Sequence, residues 1–286
     1  RYMNIIALDQ TLVELKHGEY LNANWVQDEP NTVHYAPQKF IMGQAPTVDT
    51  ISDFYSAIFL HKISAVVCLT RLEESGRLKA NRYWPTDKND SFYVAYWKIS
   101  LVEEKSYFGG SIIRRSIRMT RREPSVDAED NELEFAMFHY MSWCDHGSPA
   151  CLDSFAELLK LVRAVADRDR QRPVLAHCSA GVGRAGTFVA AYNLILLNEL
   201  DCLPRVSIKE MVDWLRHQRY GAVQSLEQYL FIPKVVAHFE DQASSSSSDS
   251  LCSSASSSSS DESMMEVDDE GDWLRQCQYG SGLCVK

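Results

Sequence analysis

The chain has 286 residues, 45 % hydrophobic and 10 % aromatic, with a formal charge of −10 at neutral pH. That length suits one large domain or two small ones, and the apolar content suffices for a packed core. No apolar run approaches the roughly 20 residues of a membrane-spanning helix. The opening Arg1-Tyr2 does not read as a secretory leader, and the lack of an initiator Met leads us to expect an excerpt from a longer protein.

The charge is unevenly placed. From Glu240 to the end there are ten acidic and two basic residues, so the body is close to neutral and the acidity belongs to the last segment. A near-neutral body predicts no nucleic-acid partner. Cys68, Cys144, Cys151, Cys178, Cys202, Cys252, Cys277 and Cys284 are scattered without a CxxC pair. That predicts reduced thiols in a reducing, cytoplasmic setting, and no metal site.

Residues 1–242 read as alternating strands and helices. Ile63–Leu69 is a buried-strand candidate, and Phe92–Ile99 and Ser111–Met119 read as half-buried strands. Phe155, Leu158, Leu159, Val162 and Val165 predict a helix over 152–168. Arg172-Pro173 breaks it, Val174-Leu175-Ala176 is a short buried strand, and a very apolar helix runs from about Arg184 to Glu199. Ser207 with Glu210, and Ser225 with Gln228, carry the capping-box spacing that opens a helix. Pro233 predicts a kink in the last helix. From 243 to 286, serine runs and acids cannot bury enough apolar surface to offset chain entropy, which predicts a disordered, acidic serine-rich tail.

The chemistry concentrates in His177-Cys178-Ser179-Ala180-Gly181-Val182-Gly183-Arg184. A cysteine six places before an arginine is weak by itself. Here a buried strand precedes it, two glycines lie within it and a helix follows. Such a loop curls so that its N–H groups converge at a helix N-terminus, a phosphate-binding loop at a strand-to-helix turn. Arg184 adds a planar bidentate fork for a phosphate dianion. The same field favours sulfur as thiolate, the nucleophilic form.

This string resembles the signature of the protein tyrosine phosphatase family, and the likeness covers nearly all of residues 1–240. Arg1-Tyr2-Met3-Asn4-Ile5 is similar to its phosphotyrosine-recognition loop. Tyr20-Leu21-Asn22-Ala23-Asn24, Gln44-Ala45-Pro46, Arg82-Tyr83-Trp84-Pro85, Trp143-Cys144-Asp145-His146-Gly147 and Gln224-Ser225-Leu226-Glu227-Gln228-Tyr229 follow in the family's order. The resemblance implies an α/β (α+β) fold, a twisted mixed sheet flanked by helices, and a phosphatase acting on phosphotyrosine in proteins through a cysteinyl phosphate, with no cofactor. It implies Cys178 as nucleophile, Asp145 as general acid, Arg184 as phosphate clamp and Gln224 as the group that positions water. Tyr2, Asn4, Ser179, Ala180, Gly181, Val182, Gly183 and Gln228 become the substrate-binding set, with Gln228 equally a capping residue. His177, Glu74, Lys79 and Gly221 support them: Glu74 pairs with Arg184, Lys79 approaches the general-acid loop, and Gly221 leaves the pocket entrance open. Asn22 and Asn24 read as structural.

Two positions depart from the family pattern. Cys144 stands where relatives carry Pro, and Ala185 where they carry Ser or Thr. They define the alternative reading, a pseudophosphatase that captures phosphotyrosine with little or no turnover. A polyanionic substrate such as a phosphoinositide or an RNA 5′ end fits poorly, because residues 179–183 contain no Lys or Arg. Asn4 also replaces the acid that many relatives place there.

Overall fold

The computed structural model describes residues 1–15, 19–28, 35–88, 91–123, 131–143, 147–200 and 206–249, the last six by backbone alone. The strands are β1 (Leu12–Glu14), β2 (Tyr20–Val26), β3 (Phe40–Gly43), β4 (Ala65–Cys68), β5 (Glu73–Glu74), β6 (Arg77–Leu78), β7 (Ser91–Val94), β8 (Trp97–Tyr107), β9 (Ile112–Arg121), β10 (Glu132–Tyr140) and β11 (Val174–His177). The helices are α1 (Ile51–Leu60), α2 (Leu152–Ala166), α3 (Gly183–Glu199), α4 (Ile208–Gln218) and α5 (Leu226–Asp249). Nine strands form one mixed sheet in the order β1-β2-β3-β11-β4-β10-β9-β8-β7, and β5 and β6 make a separate hairpin. β11 is parallel to both β3 and β4, and β4 is parallel to β10, while the outer pairs are antiparallel.

The sheet's centre is buried on both faces, which explains why its strands are short unbroken apolar runs. Alternate residues feed two cores. Phe40, Met42, Val67, Phe138, Val174 and Ala176 pack with α2–α5 on one side. Ile41, Val66, Met137 and Leu175 pack with α1, Tyr83, Trp84 and Trp97 on the other. α3 is buried from Gly183 through Leu197, as expected for a helix apolar all round.

Two expectations change. Phe92–Ile99 is not one strand: β7 and β8 pair as a hairpin with Val94 opposite Trp97, turning through Ala95 and Tyr96. Ala95 takes a left-handed φ of 46°, a conformation no Gly or Asn announces in the sequence. The last helix also carries past residue 242 into the first serine run, because adding a residue to a formed helix costs far less than nucleating one. It contains Pro233 and remains one element. Contacts divide the chain between Ala243 and Ser244; residues 250–286 of the serine-rich segment lie outside the described residues. No described helix is long and apolar enough to cross a membrane. Both capping boxes form: Ser207 Oγ accepts from Glu210 N, and Ser225 Oγ from Gln228 N at 3.2 Å.

Phe155 anchors the core beneath the site, its ring 5.4 Å from Trp143, 5.3 Å from Phe231 and 6.1 Å from Phe188. Phe155→Ala is expected to lower the unfolding free energy by about 3–5 kcal/mol, since a fully enclosed ring leaves a cavity that neighbours fill poorly. Urea unfolding with an unchanged m-value checks this; a loss below about 1 kcal/mol shows that the cluster collapses onto the gap.

Candidate active site

The site forms where β11, the central parallel strand, ends and α3 begins. The segment between them, Cys178–Val182, is held by its carbonyl groups. His177 Nδ1 lies 3.1 Å from the Cys178 carbonyl. Ala45 N donates to Ser179 O at 3.1 Å. Arg219 Nη2 donates to Ala180 O at 3.1 Å, and its Nε to Gly181 O at 2.6 Å. Val182 O accepts from Gly186 N at 3.0 Å and Val223 N at 3.2 Å. Five successive carbonyls therefore face partners outside the loop. In a planar trans peptide the next residue's N–H points the opposite way, so the N–H groups of 179 through 183 turn inward. Gly181 N–H already meets Cys178 Sγ at 3.3 Å. Positive partial charge thus gathers around the sulfur at the N-terminus of α3.

Glycine is required at position 181 and keeps space clear at 183. Gly181 has φ +74°, and a Cβ there would lie 1.9 Å from the Gly43 carbonyl oxygen. At Gly183 a Cβ would meet Gln228 Oε1 at 3.0 Å and Gln224 Oε1 at 3.2 Å, so a side chain would crowd both glutamines.

Arg184 is buried, and Glu74 holds it in a fork: Nη1 to Oε1 at 2.6 Å and Nη2 to Oε2 at 3.1 Å. Nη1 also donates to the Trp143 carbonyl at 3.0 Å. Thr70 Oγ1 and Arg71 N fix Glu74 in turn. A buried charge needs such pairing, and the planar fork keeps the guanidinium beside the loop.

Tyr2, Asn4, Lys79, Cys178, Ser179, Ala180, Gly183, Arg184, Gln224 and Gln228 all line one pocket of about 390 Å³. Tyr2 stands at its wall with its hydroxyl 2.8 Å from Ser179 Oγ, which donates to the Lys79 carbonyl at 2.8 Å. Gln228 is buried; its Oε1 accepts from Gln224 N at 3.0 Å and Ser225 N at 3.3 Å, so it caps α5 while facing the pocket. Gly221 has φ +78° with open space where a side chain would be. Val182 contributes its backbone. Asp145, with Cys144 and His146, lies outside the described residues; Trp143 Nε1 donates to Gly147 O across that gap at 2.8 Å.

Sequence reasoning missed Arg219. It is fully buried and also donates to Asn24 Oδ1 at 2.8 Å and Asn22 Oδ1 at 3.1 Å. Those asparagines in turn hold the carbonyls of Leu8 and Ile5, tying the Tyr2 segment to the loop. Burial lowers the Arg219 pKa to about 10. Arginine among surface-like neighbours in Arg216-His217-Gln218-Arg219 gives no signal of this; only the Asn22-Ala23-Asn24 pattern within an apolar strand hints at a partner.

His177 Nε2 lies 2.6 Å from the Tyr83 hydroxyl. Both contacts suit a neutral ring, with Nδ1–H donating to the Cys178 carbonyl and Nε2 accepting from Tyr83. Burial depresses its pKa to about 4, and burial does the same at His139, whose Nε2 lies 2.9 Å from Thr70 O. The unfolded chain protonates both near pH 6.5 while the native state does not. Stability is therefore complete above pH 6.5 and falls as pH drops toward 4, by about 1.4 kcal/mol per pH unit for each ring. Chemical denaturation across that range checks the slope. His139→Gln, which retains a donor for Thr70 O, is expected to remove about half of the histidine contribution.

The family model for protein-tyrosine phosphatases matches residues 1–238. Tyrosine-protein phosphatase 69D of Drosophila melanogaster is 34 % identical over 239 residues, 81 % of this chain and 16 % of that protein. Human tyrosine-protein phosphatase non-receptor type 12 is 30 % identical over 253 residues, 85 % of this chain and 30 % of that protein. The chain thus spans less than a third of these relatives. Among solved structures, PTPN18 in complex with HER2 phosphopeptides superposes with TM-score 0.73 at 26 % identity, covering 84 % of this chain and 80 % of that one. The Trypanosoma cruzi phosphatase TcPTP1 gives TM-score 0.73 at 32 % identity, covering 84 % and 80 %.

Proposed function

Given that the chain belongs to the protein-tyrosine phosphatase family, we propose that it hydrolyses phosphotyrosine in proteins through a cysteinyl-phosphate intermediate. One observation carries this reading: a cysteine sulfur enclosed by inward N–H groups, with a paired guanidinium at its side. A phosphate dianion entering the pocket finds donors for its three non-bridging oxygens. The Cys178 thiolate attacks phosphorus, and the bond from phosphorus to the phenol oxygen breaks. Asp145 gives that oxygen its proton. Water then attacks the phospho-cysteine, Asp145 takes the proton, and sulfur leaves as thiolate with release of inorganic phosphate. Gln224, at the pocket edge, orients this water. Phosphotyrosine-containing proteins are the partners in this reading, as PTPN18 is seen with HER2 phosphopeptides, and the chain works in the cytoplasm.

Steady-state hydrolysis of a phosphotyrosine peptide tests the proposal directly. Cys178→Ser is expected to abolish turnover and keep the fold. Asp145→Ala is expected to slow turnover by about 10²–10⁴-fold while phosphopeptide binding persists, because binding relies on the loop and Arg184. Parent-level hydrolysis by Asp145→Ala of an aryl phosphate with a poor leaving group assigns the acid elsewhere.

Ala185 and Cys144 favour a second reading, phosphotyrosine capture with little or no turnover. Ala185 is wholly buried and offers the sulfur no hydroxyl. A donor at this position would stabilise sulfur as it departs from phosphorus, and hydrogen bonds to charged groups contribute about 1.5–3 kcal/mol. Breakdown of the intermediate is therefore the slow step. Rapid mixing is expected to show a burst of phenol release, and Ala185→Ser to turn over faster with a smaller burst. Parent-like kinetics in Ala185→Ser removes this account of position 185.

A further inference from the structure

The hairpin of β5 and β6 carries Glu74, which grips Arg184, and it also carries Arg77. The two residues are direct cross-strand partners. Opposed residues in an antiparallel pair project to the same face, so Arg77 shares the face on which Glu74 reaches the pocket floor, and it lines the same pocket as Cys178. The turn between them, Ser75-Gly76, has φ 50° and 69°, so the two strands are held at a fixed two-residue separation.

The charges around the mouth are asymmetric. Glu74 Oε1 accepts from Arg184, Thr70 and Arg71 and Oε2 from Arg184, and neither oxygen bonds Arg77. The Arg77 side chain is exposed and makes no hydrogen bond or ion pair with a described residue. Lys79, the next residue on that face, lines the pocket too, and no carboxylate does so among the described residues. The Met3–Ile5 stretch of the rim has no charge to set against this: Met3 is 96 % exposed, Asn4 and Ile5 line the pocket, and Arg1 is spent on Ala45 O, Pro46 O and Asn81.

Resting on the phosphatase reading above, we propose that Arg77 is a specificity-determining residue which selects phosphotyrosine segments bearing an acidic side chain on the hairpin side of the pocket. An extended substrate advances about 3.3 Å per residue. The two or three residues flanking the phosphotyrosine on one side therefore cross the hairpin, within reach of a guanidinium. The flank that leads away from the hairpin does not meet this charge. An arginine fork suits Asp or Glu at such a site, and a rim charge acts on binding rather than on the chemical step.

The test measures dissociation constants with the full chain as Cys178→Ser, so that turnover is not needed. Phosphotyrosine peptides carry Glu, Gln or Lys at each flanking position in turn. Glu is expected to bind about two- to fivefold more tightly than Gln on one side only, with the preference shrinking as salt rises. Adding Arg77→Glu is expected to turn the preference toward Lys, and Arg77→Lys to retain part of it. The comparison is a ratio within each protein, so a variant that weakens all peptides equally does not mimic the effect. Phosphate-dependent binding with equal affinities at every flank, or a Glu preference that survives Arg77→Glu, overturns the role of Arg77. Binding no tighter than that of unphosphorylated peptides overturns the phosphatase reading, and this inference with it.

Discussion

The structure turns on the outward pinning of five consecutive carbonyls, from Cys178 to Val182. Each loop carbonyl on its own is an ordinary hydrogen-bond acceptor. Taken together, and joined to the planarity of the peptide bond, they force the following five N–H groups to face one centre. Apart from His177 beside the loop, the donors that do the pinning come from distant parts of the chain: Ala45 after β3, Arg219 after α4 and Val223 before α5. The anion site is therefore preorganised by the whole fold, and no reorientation of dipoles is needed when a phosphate arrives.

Two buried arginines divide the work. Arg184 faces the pocket and is neutralised by Glu74, so its position is fixed by a carboxylate that the hairpin of β5 and β6 supplies. The four acceptors around Arg219 are two carbonyl oxygens and two asparagine side chains, and burial lowers its pKa. It stands behind the loop, adding positive potential without occupying the pocket. Replacing either guanidinium by a shorter cation leaves acceptors unmet, because both sites use the planar fork.

The same economy links recognition to catalysis. Asn22 and Asn24 hold Arg219 with their oxygens and the Tyr2 segment with their nitrogens. Depth of the pocket and direction of the loop N–H groups are thus set by one pair of side chains. Glu74 and Arg77 make a second such pair, one aimed at the pocket floor and the other at its rim.

Much of this was legible in the sequence. The apolar run Val174-Leu175-Ala176, the glycines at 181 and 183, Arg184 and the apolar helix after it state a strand, a tight loop and a helix N-terminus, because each is a local property of a few adjacent residues. Both capping boxes were readable for the same reason. What the sequence did not show depends on residues brought together from afar. Arg219 looks like one more cation at a helix end, and its burial against Ala180 and Gly181 exists only once α4 has packed against β2. The turn at Ala95 breaks a strand without a turn residue, since the register of β7 on β8 imposes it. Gln228 could be a cap or a pocket residue by pattern; the tertiary structure makes it both, because α5 begins at the pocket wall. Local hydrogen bonding and periodicity are written in the order of residues, whereas the direction of a loop's dipoles is settled by whatever the completed fold places behind it.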